Sequence, residues 1–243
     1  MGFVSDLKVL YHLLLRPVRG KDHAERMESF YAGQAGAYDD FRRRLLHGRE
    51  ELFQAIDAPE NAVWVDLGGG TGGNVEFISS QVPKLSNIYV VDLATSLLKV
   101  ADERFKEHGW DNAHAVEADA TTWTPPEGSA DVVTFSYSLT MIPDWFSAVE
   151  NALRILKPGG QIGVVDFYVS RKHAQEGLKK HGWFTRSFWP VWFNGDNVFP
   201  SPDHLPFLRS HFDTVLCEES KSKVPYIPFI RTPFYQFIGR KPL

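Results

Sequence analysis

The chain has 243 residues, 43% of them hydrophobic, and a formal net charge of −4, which suits one domain with a well-buried core and gives no reason to expect nucleic acid as partner. Its one cysteine, Cys217, rules out a disulfide within the chain and suits a reducing compartment, and no His/Cys cluster has zinc spacing, so no metal is expected. No apolar run reaches the ~18 residues of a membrane span and no secretory leader is apparent, so the expected setting is intracellular.

Residues 1–58 mix polar and apolar positions at helical spacing. Val4, Leu7, Leu10, Tyr11, Leu14 and Leu15 fall on one face, with Lys8, Arg16, Arg19 and Lys21 beside them. That is the composition of an interfacial helix drawn to anionic headgroups, and equally of a helix packed on the protein's own surface. Residues 25–50 are expected to form a helical lid. Tyr31 and Tyr38 lie about two helical turns apart there and so share a face.

Between residues 60 and 170 β-like runs alternate with helical ones, which implies an α/β, Rossmann-like parallel sheet with helices on both faces. Ala62-Val-Trp-Val65 leads into Asp66 and then Gly68-Gly69-Gly70-Thr71-Gly72, where glycines let the main chain turn sharply and approach a ligand closely. Gly68, Gly70 and Gly73 also satisfy the weak dinucleotide pattern G-x-G-x-x-G. Ile88–Val91 ends in Asp92, an acid placed for a ribose diol. His114–Ala118 ends in Asp119-Ala120-Thr121, where an acid can accept from an adenine amine, and this third station is no part of the dinucleotide pattern. Asp131–Phe135 runs into Ser136-Tyr137-Ser138, and Gln161–Val165 into Asp166. Helices are expected at about 74–81, 95–108 and 145–156, and two late strands at Asp213–Ser220 and Phe234–Gly239.

Together these stations resemble the class I S-adenosylmethionine-dependent methyltransferases across roughly residues 60–170. The resemblance implies S-adenosyl-L-methionine as cofactor, S-adenosyl-L-homocysteine as product, and a closing antiparallel strand pair. It implies a cofactor site of Tyr38, Asp66, Gly68, Gly70, Thr71, Gly72, Asn74, Asp92, Leu93, Asp119, Ala120, Thr121, Ser136 and Tyr137.

From 171 to 243 the chain departs from the core pattern, and Trp183–Phe207 is dense in aromatic residues. Such rings either form a satellite core or line an apolar channel, where their faces also hold ammonium or sulfonium cations. The peptides Tyr31–Asp39, Ser136–Trp145, Val165–Ser170 and Phe188–Phe193 with Asp196-Asn197-Val198 are similar to the betaine-lipid synthase methyltransferase. That likeness implies trimethylation of the amine of diacylglyceryl-homoserine to diacylglyceryl-trimethylhomoserine, a lipid substrate met at the cytosolic face of a membrane, the endoplasmic reticulum in a eukaryote, and a fusion or association with the homoserine-transferring component. Tyr31, Tyr137, Asp166 and His204 are the candidate catalytic groups, orienting the amine or passing its proton to water. Tyr31, Tyr137, Trp183, Trp189 and Trp192 are candidate substrate contacts, and Arg186, ahead of Arg171, Arg209 and Arg231, is the candidate grip on a carboxylate. Residues 1–58 are expected as a membrane-surface and lid segment and 59–243 as the methyltransferase domain. A methyltransferase for a soluble amine, phenol or quinone, or a noncatalytic cofactor-binding module, would share every cofactor station.

Overall fold

The computed structural model describes residues 45–195, 197–224 and 227–243, with side chains at all of these but 227–229. Tyr31, Tyr38 and the amphipathic stretch of residues 4–15 lie outside the described residues.

The elements in chain order are α1 (Arg49–Ala55), β1 (Val63–Leu67), β2 (Asn87–Asp92), α2 (Thr95–His108), β3 (Ala113–Glu117), β4 (Ala130–Ser136), α3 (Trp145–Ile155), β5 (Leu156–Phe167), α4 (Trp183–Asn194), α5 (His204–His211), β6 (Asp213–Val224) and β7 (Ile227–Arg240). One seven-stranded sheet has the order β3-β2-β1-β4-β5-β7-β6. Strands β1 to β5 are parallel, and β7 returns antiparallel between β5 and β6. Chain direction reverses outward from β1, with β2 on one side and β4 on the other. Open α/β sheets receive ligands in the crevice at that switch point, beyond the carboxyl ends of the strands.

Every residue of β1, Val63-Trp-Val-Asp-Leu67, is buried. Both faces of a parallel sheet are covered by helices, so its strands read as continuous apolar runs. Leu52, Phe53, Trp64, Ile88, Val90 and Phe105 belong to the core on one face, and Val65, Leu67, Val133, Ala148 and Ala152 to the core on the other. The two sets alternate along β1, as a strand's period of two requires. α2 stops at Gly109, which takes the left-handed conformation (φ 66°) that closes a helix. α3 begins at Asp144, whose carboxylate accepts from the Ser147 N–H at 3.3 Å.

The helix expected over 74–81 is absent as such. Two short 3-10 turns, Val75–Ile78 and Val82–Lys84, take its place. Asn74 is tied at its side chain to Asp66 and Arg49, two serines follow Ile78, and Pro83 cannot continue an α-helix.

Candidate active site

A cleft of about 320 Å³ opens at the carboxyl ends of β1, β2 and β4, lined among others by Gly68, Gly70, Asp92, Asp119, Tyr137 and Ser138. Leu93, Ala120 and Thr121 complete the expected stations that reach it, while Met141, Ile142, Pro143 and Asp144 form a wall that the sequence reading missed. Their sequence signals were their place directly after the strand-end peptide Ser136-Tyr137-Ser138 and their membership of the family-like peptide Ser136–Trp145.

Each station is held by its own local chemistry. Asp92 Oδ2 accepts from the Gly70 N–H at 3.0 Å and its Oδ1 from Ala94 N–H at 2.9 Å, which fixes the carboxylate at the mouth of the glycine turn. Asp119 Oδ1 accepts from both the amide and the hydroxyl of Thr121, at 2.8 and 2.7 Å. Its Oδ2 takes no hydrogen bond from the described residues. Ala120 turns its carbonyl away from the cleft to Asn151 Nδ2.

Several residues expected against the cofactor lie beneath the turn instead. Asp66 is buried, accepting from Thr134 Oγ1 at 2.7 Å and Asn74 Nδ2 at 3.0 Å, and Trp64 Nε1 donates to the same Thr134 hydroxyl at 3.1 Å. Asn74 in turn accepts from Arg49. Thr71 is buried, with its carbonyl accepting from Arg104. Ser136 is buried as well, and its hydroxyl has no hydrogen-bond partner among the described residues.

The glycines are demanded by the protein as much as by a ligand. Gly68 has φ 72°, and a Cβ there would stand 2.4 Å from Ser138 Cβ. One at Gly69 would meet Asp66 Oδ2 at 2.7 Å, and one at Gly72 the Phe105 ring at 2.8 Å. Gly72 therefore serves close packing of the turn on α2, where the sequence had suggested ligand approach.

Tyr137 lines the cleft beside Ser138 and Met141. It takes φ 54°, a left-handed conformation rare for a side chain of this size, so its surroundings hold it in strain. Its hydroxyl donates to the His47 carbonyl at 2.7 Å, and its ring lies 4.6 Å from Phe167. Burial, with Asp166 nearby, pushes its pKa well above the usual value, so the phenol stays neutral and acts as a donor.

Asp166 does not line the cleft. Its carboxylate is completely buried and accepts from Thr140 Oγ1 at 2.7 Å, Thr140 N–H at 3.1 Å and Phe167 N–H at 2.8 Å. Burial pushes its pKa up to about 7 against those three donors. It anchors the 138–144 wall from below. His204 does not line the cleft; it is sealed at the start of α5 between Trp145 (4.6 Å) and Tyr235 (6.1 Å) with no hydrogen bond at either ring nitrogen among the described residues.

The aromatic candidates divide between core and surface. Trp189 and Phe193 are buried, and Phe193 stacks on Phe167 at 4.7 Å. Trp183 and Trp192 are exposed. Arg186 lies on α4 with its Nε buried and unpartnered among the described residues, Arg171 pairs with Asp203, Arg209 donates to the Glu176 carbonyl, and Arg231 lines a separate groove between α1 and the β6–β7 hairpin. No group of three or more His, Cys, Asp or Glu among the described residues could hold a metal.

Residues 47–191 match the ubiE/COQ5 methyltransferase family. The chain belongs to that family. It is a class I S-adenosylmethionine-dependent methyltransferase. Among ubiE/COQ5 relatives, the ubiquinone/menaquinone biosynthesis C-methyltransferase UbiE of Vibrio cholerae is 28% identical over 97% of this chain and 92% of its own length. The protein of the same name from Shewanella sediminis is 26% identical over 64% of each chain, so that match spans under two thirds of the relative. Among solved structures, phosphoethanolamine N-methyltransferase 2 of Haemonchus contortus has a TM-score of 0.66 at 16% identity, covering 94% of this chain and 61% of that one. YcgJ of Bacillus subtilis scores 0.64 at 15% identity, covering 81% of this chain and 99% of that one. Both share the fold.

The cleft fits the family's cofactor. Asp92 stands at the mouth of the glycine turn, where an acid can accept from a ribose diol, Asp119 Oδ2 can accept from an exocyclic amine, and the left-handed glycines bring bare backbone to the amino acid end. The bound cofactor supplies an electrophilic methyl group. Asp92 and Asp119 would hold it across the cleft, whose remaining wall is formed by Tyr137 and Met141–Asp144.

Proposed function

We propose that this protein methylates a ring carbon of a lipophilic quinone precursor in its reduced form, with S-adenosylmethionine as donor. The observation that carries this reading is the similarity, along nearly the whole chain, to a protein named as a ubiquinone/menaquinone biosynthesis C-methyltransferase. The acceptor side of the cleft supports it. Tyr137, Met141, Ile142 and Pro143 line it, and Phe167 and Phe193 stack behind Tyr137, a surface suited to the face of an aromatic ring.

The chemistry asks little of an acid or base. A ring carbon beside a hydroxyl is electron-rich and attacks the sulfonium methyl: the C–S bond breaks, a C–C bond forms, and the ring proton departs to water. The protein's part is alignment of the carbon with the S–CH3 axis, a positioning effect that can supply most of the rate. Tyr137, whose one O–H is held by the His47 carbonyl, offers its fixed ring as the inner wall against which the acceptor ring can stack.

The diacylglyceryl-homoserine reading places an amine at the same wall. A single incubation separates the two: methyl-labelled S-adenosylmethionine with a membrane lipid extract and, in parallel, with a reduced demethyl-naphthoquinone carrying a prenyl tail. Label in the quinone fraction is expected. Label confined to a polar lipid would instead favour the betaine-lipid reaction, and cofactor binding without transfer to either would leave a binding module.

A further inference from the structure

α4, Trp-Phe-Thr-Arg-Ser-Phe-Trp-Pro-Val-Trp-Phe-Asn, is apolar almost all round. A helix of that kind has no water-facing side of its own and is ordinarily buried on every side. Among the described residues only one side is covered, with Trp189 and Phe193 packed into the core. The opposite arc stands in solvent, with Trp183 at 74%, Phe184 at 63%, Val191 at 78% and Trp192 at 37% exposure. Phe184 and Phe188 stack at 5.1 Å and Phe188 lies 5.4 Å from Trp192, so the rings form one continuous surface. Phe199, also exposed, extends the apolar surface beyond the helix and donates its N–H to the Thr140 carbonyl on the cleft wall.

The surroundings carry charge of one predominant sign. Lys179, Lys180 and Lys221 are exposed, and the charges of Lys221, Lys179 and Arg186 all bear on His181, two residues before the helix begins. Glu219 also lies among these cations, its carboxylate accepting from the Lys179 N–H. A chain whose net charge is −4 thus gathers cations beside its most exposed aromatic residues.

We propose that the outer face of α4 is a membrane-docking surface that seats in the interface of an anionic phospholipid bilayer. Tryptophan and phenylalanine rings partition to the headgroup boundary, and adjacent lysines gain from a negative leaflet. Continuity with the cleft argues for a lipid surface over a soluble partner. Trp189 stacks on Phe193, Phe193 on Phe167, and Phe167 touches Tyr137, so the helix lies between the bilayer and the acceptor wall. A lipophilic acceptor would then leave the membrane beside the place where it reacts. The docking itself stands whatever the acceptor proves to be.

The test uses the full chain and vesicles of phosphatidylcholine with or without phosphatidylglycerol. The protein should sediment with the phosphatidylglycerol vesicles and be released by salt. The double variant Phe184→Gln/Val191→Gln should lose vesicle affinity by about tenfold or more, because both side chains leave the apolar layer. Its S-adenosylhomocysteine affinity should match the parent's. Phosphatidylglycerol with brominated acyl chains should quench the parent's tryptophan fluorescence, and Trp183→Phe should reduce that quenching, a readout that does not depend on the double variant folding. Sedimentation of the folded double variant equal to the parent's would overturn the proposal. So would an absence of quenching, or a lipid-free parent that is dimeric while the variant is monomeric, since a second copy would then cover the face.

Discussion

Asp166 marks the difference between a residue that looks catalytic and one that holds a wall in place. Because its pKa of about 7 lies above the ordinary 3.8, the native chain keeps a proton between about pH 4 and 7 that the unfolded chain has released. Its contribution to stability is full below about pH 4 and is lost as pH rises through 7, a decline on the order of 4 kcal/mol. Asp166→Asn should flatten that part of the pH–stability curve in urea titrations. The same variant should lower kcat by less than about tenfold, whereas a proton acceptor would lose roughly a hundredfold or more. His204 runs the other way. Burial pushes its imidazole down to about 3, so the stability it permits is complete above about pH 6.5 and lost as pH falls toward 3. His204→Phe should extend acid stability and leave kcat unchanged, and a fall in kcat with cofactor affinity intact would return His204 to the chemistry. Gly68→Ala should cost about 2–4 kcal/mol, since it combines a left-handed φ with a Cβ contact that cannot be relieved at a flexible tip. Ser138→Gly in the same chain should recover part of that loss, as measured by denaturation, because it removes the opposing atom.

At the scale of elements, one buried network ties β1, β4, the glycine turn and α1 together. Trp64 donates to Thr134, Thr134 and Asn74 donate to Asp66, and Arg49 donates to Asn74. Thr134→Val keeps the shape but leaves a buried indole N–H and a carboxylate oxygen short of a partner, which should cost about 2–4 kcal/mol. Cofactor affinity should fall with it, since Asp66 supports the turn from below. A variant as stable as the parent by urea unfolding would show that the network is not what ties these elements. The strands of the parallel sheet were legible because they are largely apolar runs that lead into polar stations, β1 at Asp66, β2 at Asp92 and β4 at Ser136, whereas their order in the sheet came from the structure. The 74–81 stretch was not, because its apolar spacing suited a helix while Asn74 and Pro83 committed both ends elsewhere.

For the whole molecule, cofactor and stability are linked, because the cleft exists only when β1, β2 and β4 are assembled. S-adenosylhomocysteine at about a hundred times its Kd should add about 2.7 kcal/mol and raise Tm by roughly 5–10 °C. Gly70→Val should lose that shift, since the residue lines the cleft at φ 58° and a branched side chain would disturb both the turn and the ligand's place. A thermal melt showing an undiminished shift in Gly70→Val would remove the glycine turn from the binding site.

The sequence by itself determined the α/β class, the order of stations Gly68–Gly72, Asp92 and Asp119, and hence the cofactor. These depend on local rules: glycine where the backbone must take positive φ, an acid where a strand ends, apolar runs where a strand is buried on both faces. Only the tertiary structure decided which polar side chain faces a ligand and which faces a neighbour. Asp66, Asp92 and Asp166 all stand at strand ends, yet the first satisfies Thr134 and Asn74, the second stays at the rim of the cleft, and the third is sealed under Thr140. The aromatic segment divided in the same way, Trp189 and Phe193 to the core and Trp183 and Phe184 to solvent. A helix that is apolar all round carries no mark in its sequence of the side it will bury. That choice belongs to the surface it packs against, here Phe167 at the end of β5.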